Sequence, residues 1–311
     1  MKNGISRRKF FRNAAYAGAA AAFIPYDIFP FSASSIRGDT TAKVIAVKGT
    51  DYYKNAMKAV EMLGGIGKFV KRGDRVVILP NSPWKNPGAY TNSDITLAVL
   101  KMCREAGAKE VITLIEIDPE YWQRGLLGAK HKSEIAALKT SLSKGKKELP
   151  AAKTLKNAEY SAELFDADVY INIPIAKDHI GTRFTGNLKN LMGACPRDTN
   201  HRIHLPEGKT GEFYGFIDHL SQCIADLNLV RMPDLSICDV TEVLTNNGPT
   251  GPGAIKKAQT VLAGTDALAV DVIGASLLGL DPKDILIFGF AAEHKLGENR
   301  VENIQVDKIE L

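Results

Sequence analysis

The densest run of side chains able to do chemistry lies between residues 177 and 193. It reads Lys177-Asp178-His179, then Thr182-Arg183, then Asn187-Leu188-Lys189-Asn190-Leu191-Met192-Gly193. Lys177, Arg183 and Lys189 supply cations that can hold a carboxylate or a phosphate. His179 titrates near neutral pH and is the candidate general acid or base. Asn187 and Asn190 bring carboxamides that can orient a bound molecule. Lys189 stands beside Leu188, Leu191 and Met192, a pattern that predicts a helical turn half buried against a sheet. An amine held there needs a partner or takes a lowered pKa, and both are signatures of a site. His179 and Lys189 are therefore read as catalytic, and Lys177, Arg183, Asn187 and Asn190 as substrate-binding.

Further polar residues follow other apolar runs. Asn81 comes after Arg75–Leu79 (RVVIL) and Pro80, and Asp239 precedes Thr241, Glu242 and the Gly/Pro-rich stretch 246–253. That stretch lacks the Gly-Lys-Ser/Thr ending of a nucleotide-phosphate loop and is read as a turn. Asp271 lies among Ala269, Val270, Val272 and Ile273, so it is either an exposed stripe or a buried group aimed at a site. His201 and His204 are three apart, a spacing that can share a helical face. With His179 they could form a three-nitrogen metal site. Pro206 and the nearby turn residues argue instead for a loop, and no metal is assigned. Asn81, His204, Asp239 and Asp271 complete the substrate-binding set, and the cofactor stays unknown.

The elements that must position these residues alternate. Strand-like runs are Lys43–Lys48, Arg75–Leu79, Glu110–Ile115, Asp168–Ile173, Asp234–Val240, Gln259–Ala263 and Ile304–Leu311. Helical spacing marks Tyr52–Val70, Asp94–Ala106, Phe216–Leu227, Thr265–Leu278 and Asp284–Glu293. Asn92 or Ser93 is expected to cap the second helix, and Thr265 the fourth. The order predicts an α/β fold, a mostly parallel sheet flanked by helices, with two lobes around a cleft as an open alternative. In such sheets ligands bind beyond the carboxyl ends of the strands, where the polar clusters fall. The Lys-rich stretch between 139 and 147 is read as a solvated surface excursion.

The first 34 residues read as an address. Ser6-Arg7-Arg8-Lys9-Phe10-Phe11-Arg12 precedes an alanine-rich run from Ala14 to Ile24. This resembles a twin-arginine export signal, so the chain divides into a signal, 1–34, and one α/β domain, 35–311. An exported, periplasmic protein is expected, with the twin-arginine translocase as its partner during export. The apolar run is too short for a stable membrane anchor. The signal also carries most of the basic excess. Of a formal charge of +5 it holds five basic residues and one acid, leaving the remainder near neutral. No nucleic-acid partner is therefore expected. Cys103, Cys195, Cys223 and Cys238 form no Cys-x-x-Cys pair and look like scattered core cysteines.

At these residues the chain resembles the family called domain of unknown function 362. The stretches that carry the resemblance are Gly73–Asn81, Ile171–His179, Asn187–Gly193 and Thr265–Asp271, with His204, Asp239 and Gly248-Pro249. The family implies an α/β fold and no defined chemistry. More remotely, a strand, a His, a Gly/Asn-rich turn with Lys and a downstream His is similar to the order in nickel-pincer lactate racemases. There the lysine carries the cofactor and histidines exchange protons with a hydroxy acid. That similarity implicates His179, Lys189 and His204, although Asn187-Leu188 stands where those enzymes have Gly-Gly. Two functions are open: an exported enzyme acting on a small anionic substrate, and a periplasmic protein that captures a small ligand, or assists assembly, without catalysis.

Overall fold

The computed structural model describes residues 42–211 and 214–311. The twin-arginine-like segment of residues 1–34 lies outside the described residues. In chain order the strands are β1 (Ala42–Lys48), β2 (Arg75–Pro80), β3 (Glu110–Thr113), β4 (Lys139–Thr140), β5 (Lys144–Glu148), β6 (Asn157–Ser161), β7 (Val169–Ile173), β8 (Lys177–His179), β9 (Arg183–Thr185), β10 (Leu235–Leu244), β11 (Ile255–Gly264) and β12 (Ile304–Glu310). The α-helices are α1 (Tyr52–Met62), α2 (Ser93–Glu105), α3 (Lys132–Ala137), α4 (Glu163–Asp166), α5 (Asn187–Asn190), α6 (Arg197–His204), α7 (Ile217–Leu227), α8 (Ala267–Leu278) and α9 (Leu286–Glu293).

The described residues form one eight-stranded sheet in the order β12-β1-β11-β10-β7-β2-β3-β4. Pairing is parallel from β10 through β7, β2 and β3 to β4, and again between β12 and β1. Only β11 runs against its neighbours β1 and β10. The mostly parallel sheet flanked by helices is therefore what the chain adopts, built around a single sheet. Its central strands are apolar on both sides because helices cover both faces. Val76, Ile78, Ile171 and Ile173 pack with α1 and α2. Val77, Leu79 and Tyr170 pack on the other face, with residues of α7, α8 and α9. Asn172 alternates onto that second face and is 1% exposed, a polar residue inside an otherwise apolar strand.

Local signals explain several helix ends. Asn92 Oδ1 accepts from the Asp94 N–H at 2.9 Å and caps α2. At α8 the cap is Asp266, not Thr265: its carboxylate accepts from the Ala269 N–H at 2.9 Å. α6 is helical where Pro206 had argued for a loop. It stops at His204, and Leu205, the residue before the proline, is extended, because that position disfavours the helical region. The Lys-rich stretch is exposed, as expected, yet Lys144–Glu148 is a strand paired antiparallel with β6. All four cysteines are free. Among the described residues no helix is long and apolar enough to cross a membrane.

Candidate functional site

The polar cluster lies beyond the carboxyl ends of β2 and β7, on the face covered by α8. After β7 the chain forms the short antiparallel hairpin of β8 and β9, then turns into α5. α5 is anchored from α8, which is buried along most of its length and belongs among helices apolar nearly all round. Asp271 is its buried carboxylate, and it turns toward α5. Asp271 Oδ1 accepts from the backbone N–H of Asn187 at 2.6 Å and from Asn187 Nδ2 at 2.9 Å; Oδ2 accepts from the Leu188 N–H at 3.0 Å. Burial pushes its pKa up to about 7, with the three donors pulling the other way. Gly186 permits this approach, since a Cβ there would stand 2.2 Å from Asp271 Oδ1. Asn228 braces α5 from α7's end, donating to the Leu188 carbonyl at 2.8 Å.

The helix thus held presents Lys189. The residue is half-buried, and its amine has one hydrogen-bond partner among the described residues, the Met192 Sδ at 3.6 Å. Burial lowers its pKa to about 8. Lys177, from β8, is 0% exposed. It donates to the Ala89 carbonyl and to Asn81 Oδ1 at 3.4 Å, and among the described residues no carboxylate stands against it. Burial, helped by the charge of Lys189, drives its pKa well below the usual lysine range.

His179 completes the group. Its Nδ1 accepts from the backbone N–H of Gly181 at 3.0 Å and of Thr182 at 3.1 Å. A nitrogen facing two donors carries no proton, so the neutral ring is protonated at Nε2. That Nε2 is buried without a hydrogen-bond partner among the described residues. Burial, and then Lys189, Lys177 and His204, push its pKa down to about 2. His204 has the opposite tautomer. Its Nδ1 lies 2.7 Å from the Asn200 carbonyl, which can only accept, so Nε2 holds the lone pair. Burial lowers its pKa to about 4. The Tyr214 ring packs edge-on against both histidines, 5.2 Å and 6.0 Å between centroids.

The structure brings Lys177, His179, Lys189 and His204 together electrostatically, and links Asn81, Asn187, Asn190 and Asp271 to them through hydrogen bonds. Two of the expected residues fall elsewhere. Asp239 turns to the α2 face, where its carboxylate accepts from the Asn92 N–H at 2.6 Å and from Thr241 Oγ1 at 2.6 Å. Arg183 is exposed, with φ of 64°, and pairs with Asp284 at 3.0 Å. Among the described residues no group of three His, Cys, Asp or Glu side chains could hold a metal. Asn172, Asn228 and Tyr214 were not read from the sequence. The signal for Asn172 was there, a lone amide within DVYINI.

The chain belongs to the domain of unknown function family DUF362, whose model matches residues 76–276. Every candidate residue above lies within that span. The chain is 30% identical over 250 residues to a thylakoid-associated protein of Synechocystis, a match over 77% of this chain and 73% of that one. It is similar to the solved lactate racemase apoprotein from Thermoanaerobacterium thermosaccharolyticum, with a TM-score of 0.46 and 13% identity over 78% of this chain. A structural-genomics protein from Thermotoga maritima is also similar, with a TM-score of 0.39 and 14% identity over 79% of this chain. The match spans 57% and 60% of those two chains.

Proposed function

We propose that the protein is an exported enzyme acting on a small anionic substrate, with Lys189 and His179 as its catalytic pair. One observation carries the reading: two amines and two imidazoles share a desolvated site, and among the described residues no carboxylate stands against either amine. Cations left this way are costly, and an anion is the partner that relieves them. A bound carboxylate or phosphate would raise the pKa of Lys189 and fix it as the ammonium. His179, with its proton on Nε2, is a donor, and His204, with its lone pair on Nε2, is an acceptor. The neutral His179 ring can donate a hydrogen bond that polarises the substrate, and the neutral His204 ring is the candidate base that takes a proton from it. Asn81 and Asn190 would orient the substrate, while Asp271 and Asn187 hold the helix that carries Lys189. Export is supported by Arg7-Arg8-Lys9-Phe10 and the apolar run after it; replacing both arginines by lysine should keep the protein in the cytoplasmic fraction.

The test is a melting screen of the wild type against sulfate, phosphate and small carboxylates at low ionic strength, with each stabilising compound then followed by NMR for turnover. Melting should rise with anion concentration as binding to the folded form requires. Stabilisation with turnover supports the enzyme. Stabilisation without any chemical change points to capture. If no anion raises the melting temperature, the reading is wrong.

A further inference from the structure

One continuous set of contacts joins a buried amine to the buried carboxylate. Lys177 Nζ donates to Asn81 Oδ1 at 3.4 Å, Asn81 Nδ2 to Asn190 Oδ1 at 3.0 Å, and Asn190 Nδ2 to Asn172 Oδ1 at 2.8 Å. Asn172 Nδ2 donates to Asn187 Oδ1 at 3.2 Å, and Asn187 Nδ2 to Asp271 Oδ1 at 2.9 Å. Four carboxamides therefore run head to tail between Lys177 and Asp271. Their direction is set at the Asp271 end, whose two oxygens already accept from the backbone N–H groups of Asn187 and Leu188, so that Asn187 must turn its Nδ2 toward them. It is also pinned midway: Asn190 Nδ2 donates to the Leu79 carbonyl at 2.8 Å and Asn172 Nδ2 to the Asn187 carbonyl at 3.0 Å. Flipping any one amide would set oxygen against oxygen and nitrogen against nitrogen. Buried networks of this kind specify one arrangement when every member is satisfied.

Building on the anion-binding reading, we infer that Asn172 and Asp271 are positioning residues, which fix the carboxamide of Asn81 at Lys177 and seat α5, with Lys189, on the sheet. Asn172 is the third of the four carboxamides, fully inside the network, and the place to test it. Asn172→Asp keeps the shape and can still accept from Asn190 Nδ2. As a carboxylate it has nothing to give the two Asn187 oxygens, at 3.0 Å and 3.2 Å. Once protonated, its hydroxyl restores the donor. Burial favours that protonated form. The titratable groups on the elements packed around it are Asp271 on α8, Cys238 on β10, Lys189 on α5, Lys177 and His179 on β8, and His204 on α6. All of them are shared with the wild type and with Asn172→Ala, so the comparison between variants cancels them.

The experiment measures sulfate binding by calorimetry and the urea midpoint for wild type, Asn172→Asp and Asn172→Ala, at about pH 8 and about pH 5. At the higher pH, Asn172→Asp should bind sulfate about tenfold more weakly than wild type. At the lower pH its binding and its midpoint should both return toward wild type, while Asn172→Ala stays weak at both. Asn172→Asp matching wild type at the higher pH, or matching Asn172→Ala at both, would overturn the inference. If the wild type binds no sulfate or other anion, the anion reading falls by itself. The recovery of the Asn172→Asp urea midpoint on acidification then decides the chain of amides alone.

Discussion

Replacing Lys189 by methionine should make the unliganded protein more stable while removing its response to anions. The lysine pKa is lowered by burial from 10.5 to about 8. The folded pKa lies below the unfolded one, so between those values the unfolded chain binds more protons and stability rises with pH. Below pH 8 the amine is charged in both states and the whole penalty is present. At ~1.4 kcal/mol per pH unit the displacement corresponds to roughly 3 kcal/mol. The side chain is half-buried, and solvent screening brings the figure to ~1–3 kcal/mol. Methionine is of similar length, does not titrate, and can stay against Met192. Urea unfolding at neutral pH should therefore show Lys189→Met more stable than wild type by that amount. The gap should close as the pH is raised from 8 through 10.5, because the wild-type amine then loses its charge. Added sulfate should stabilise only the wild type. A variant less stable than wild type at neutral pH, or a gap that does not narrow in alkali, would refute the placement of an unpaired ammonium at this site.

Three further outcomes are expected. Both histidines are held neutral, with folded pKa values of about 2 for His179 and about 4 for His204 against 6.5 unfolded. The unfolded chain takes up protons first, so stability falls as pH drops below 6.5. For His204 the loss down to its folded pKa is roughly 3 kcal/mol. His204→Gln should flatten that acid limb in urea titrations, and an unchanged slope would count against a buried neutral ring. Arg183→Ala removes an exposed ion pair with Asp284, should change stability by less than ~1 kcal/mol and should leave sulfate binding alone; clearly weaker binding would bring Arg183 back to the site. Gly186→Ala places a methyl 2.2 Å from Asp271 Oδ1 and should cost about 2–3 kcal/mol in urea unfolding, whereas wild-type stability would mean that α5 is not held as closely as described.

The sheet was legible because its central strands are apolar runs bounded by turn residues, and because strand and helix signals alternate. The cations of 177–189 were legible because lysine and histidine are conspicuous in an apolar setting. What could not be read is which face each side chain takes beyond a strand end. Asp239 at a strand end and Asp271 within an apolar run were both placed in the substrate-binding set. The first turns to the α2 face and anchors Asn92, while the second turns to α5. Arg183 carried the right charge at a short distance along the chain, but its left-handed backbone in the hairpin aims it at Asp284. Asn172 was hidden by the opposite effect: a single amide in a strong strand reads as a strand, and its partners Asn187 and Asn190 lie 15 and 18 residues away. The short β5–β6 hairpin was missed because a run of lysines has low strand propensity, and pairing with β6 supplied what propensity did not.

The Gly/Pro-rich stretch after β10 bears on how this protein could be rebuilt. A side chain at Gly248 would meet the Asp178 carbonyl oxygen at 1.8 Å. The same residue donates its N–H to Asp178 Oδ2 at 2.9 Å and accepts from the Ile180 N–H at 3.2 Å. The stretch and the β8–β9 hairpin, which carries Lys177 and His179, are thus one interlocked part drawn from two distant places in the chain. A chimera that borrows either segment from a relative must borrow both, and libraries that randomise the stretch must leave Gly248 fixed.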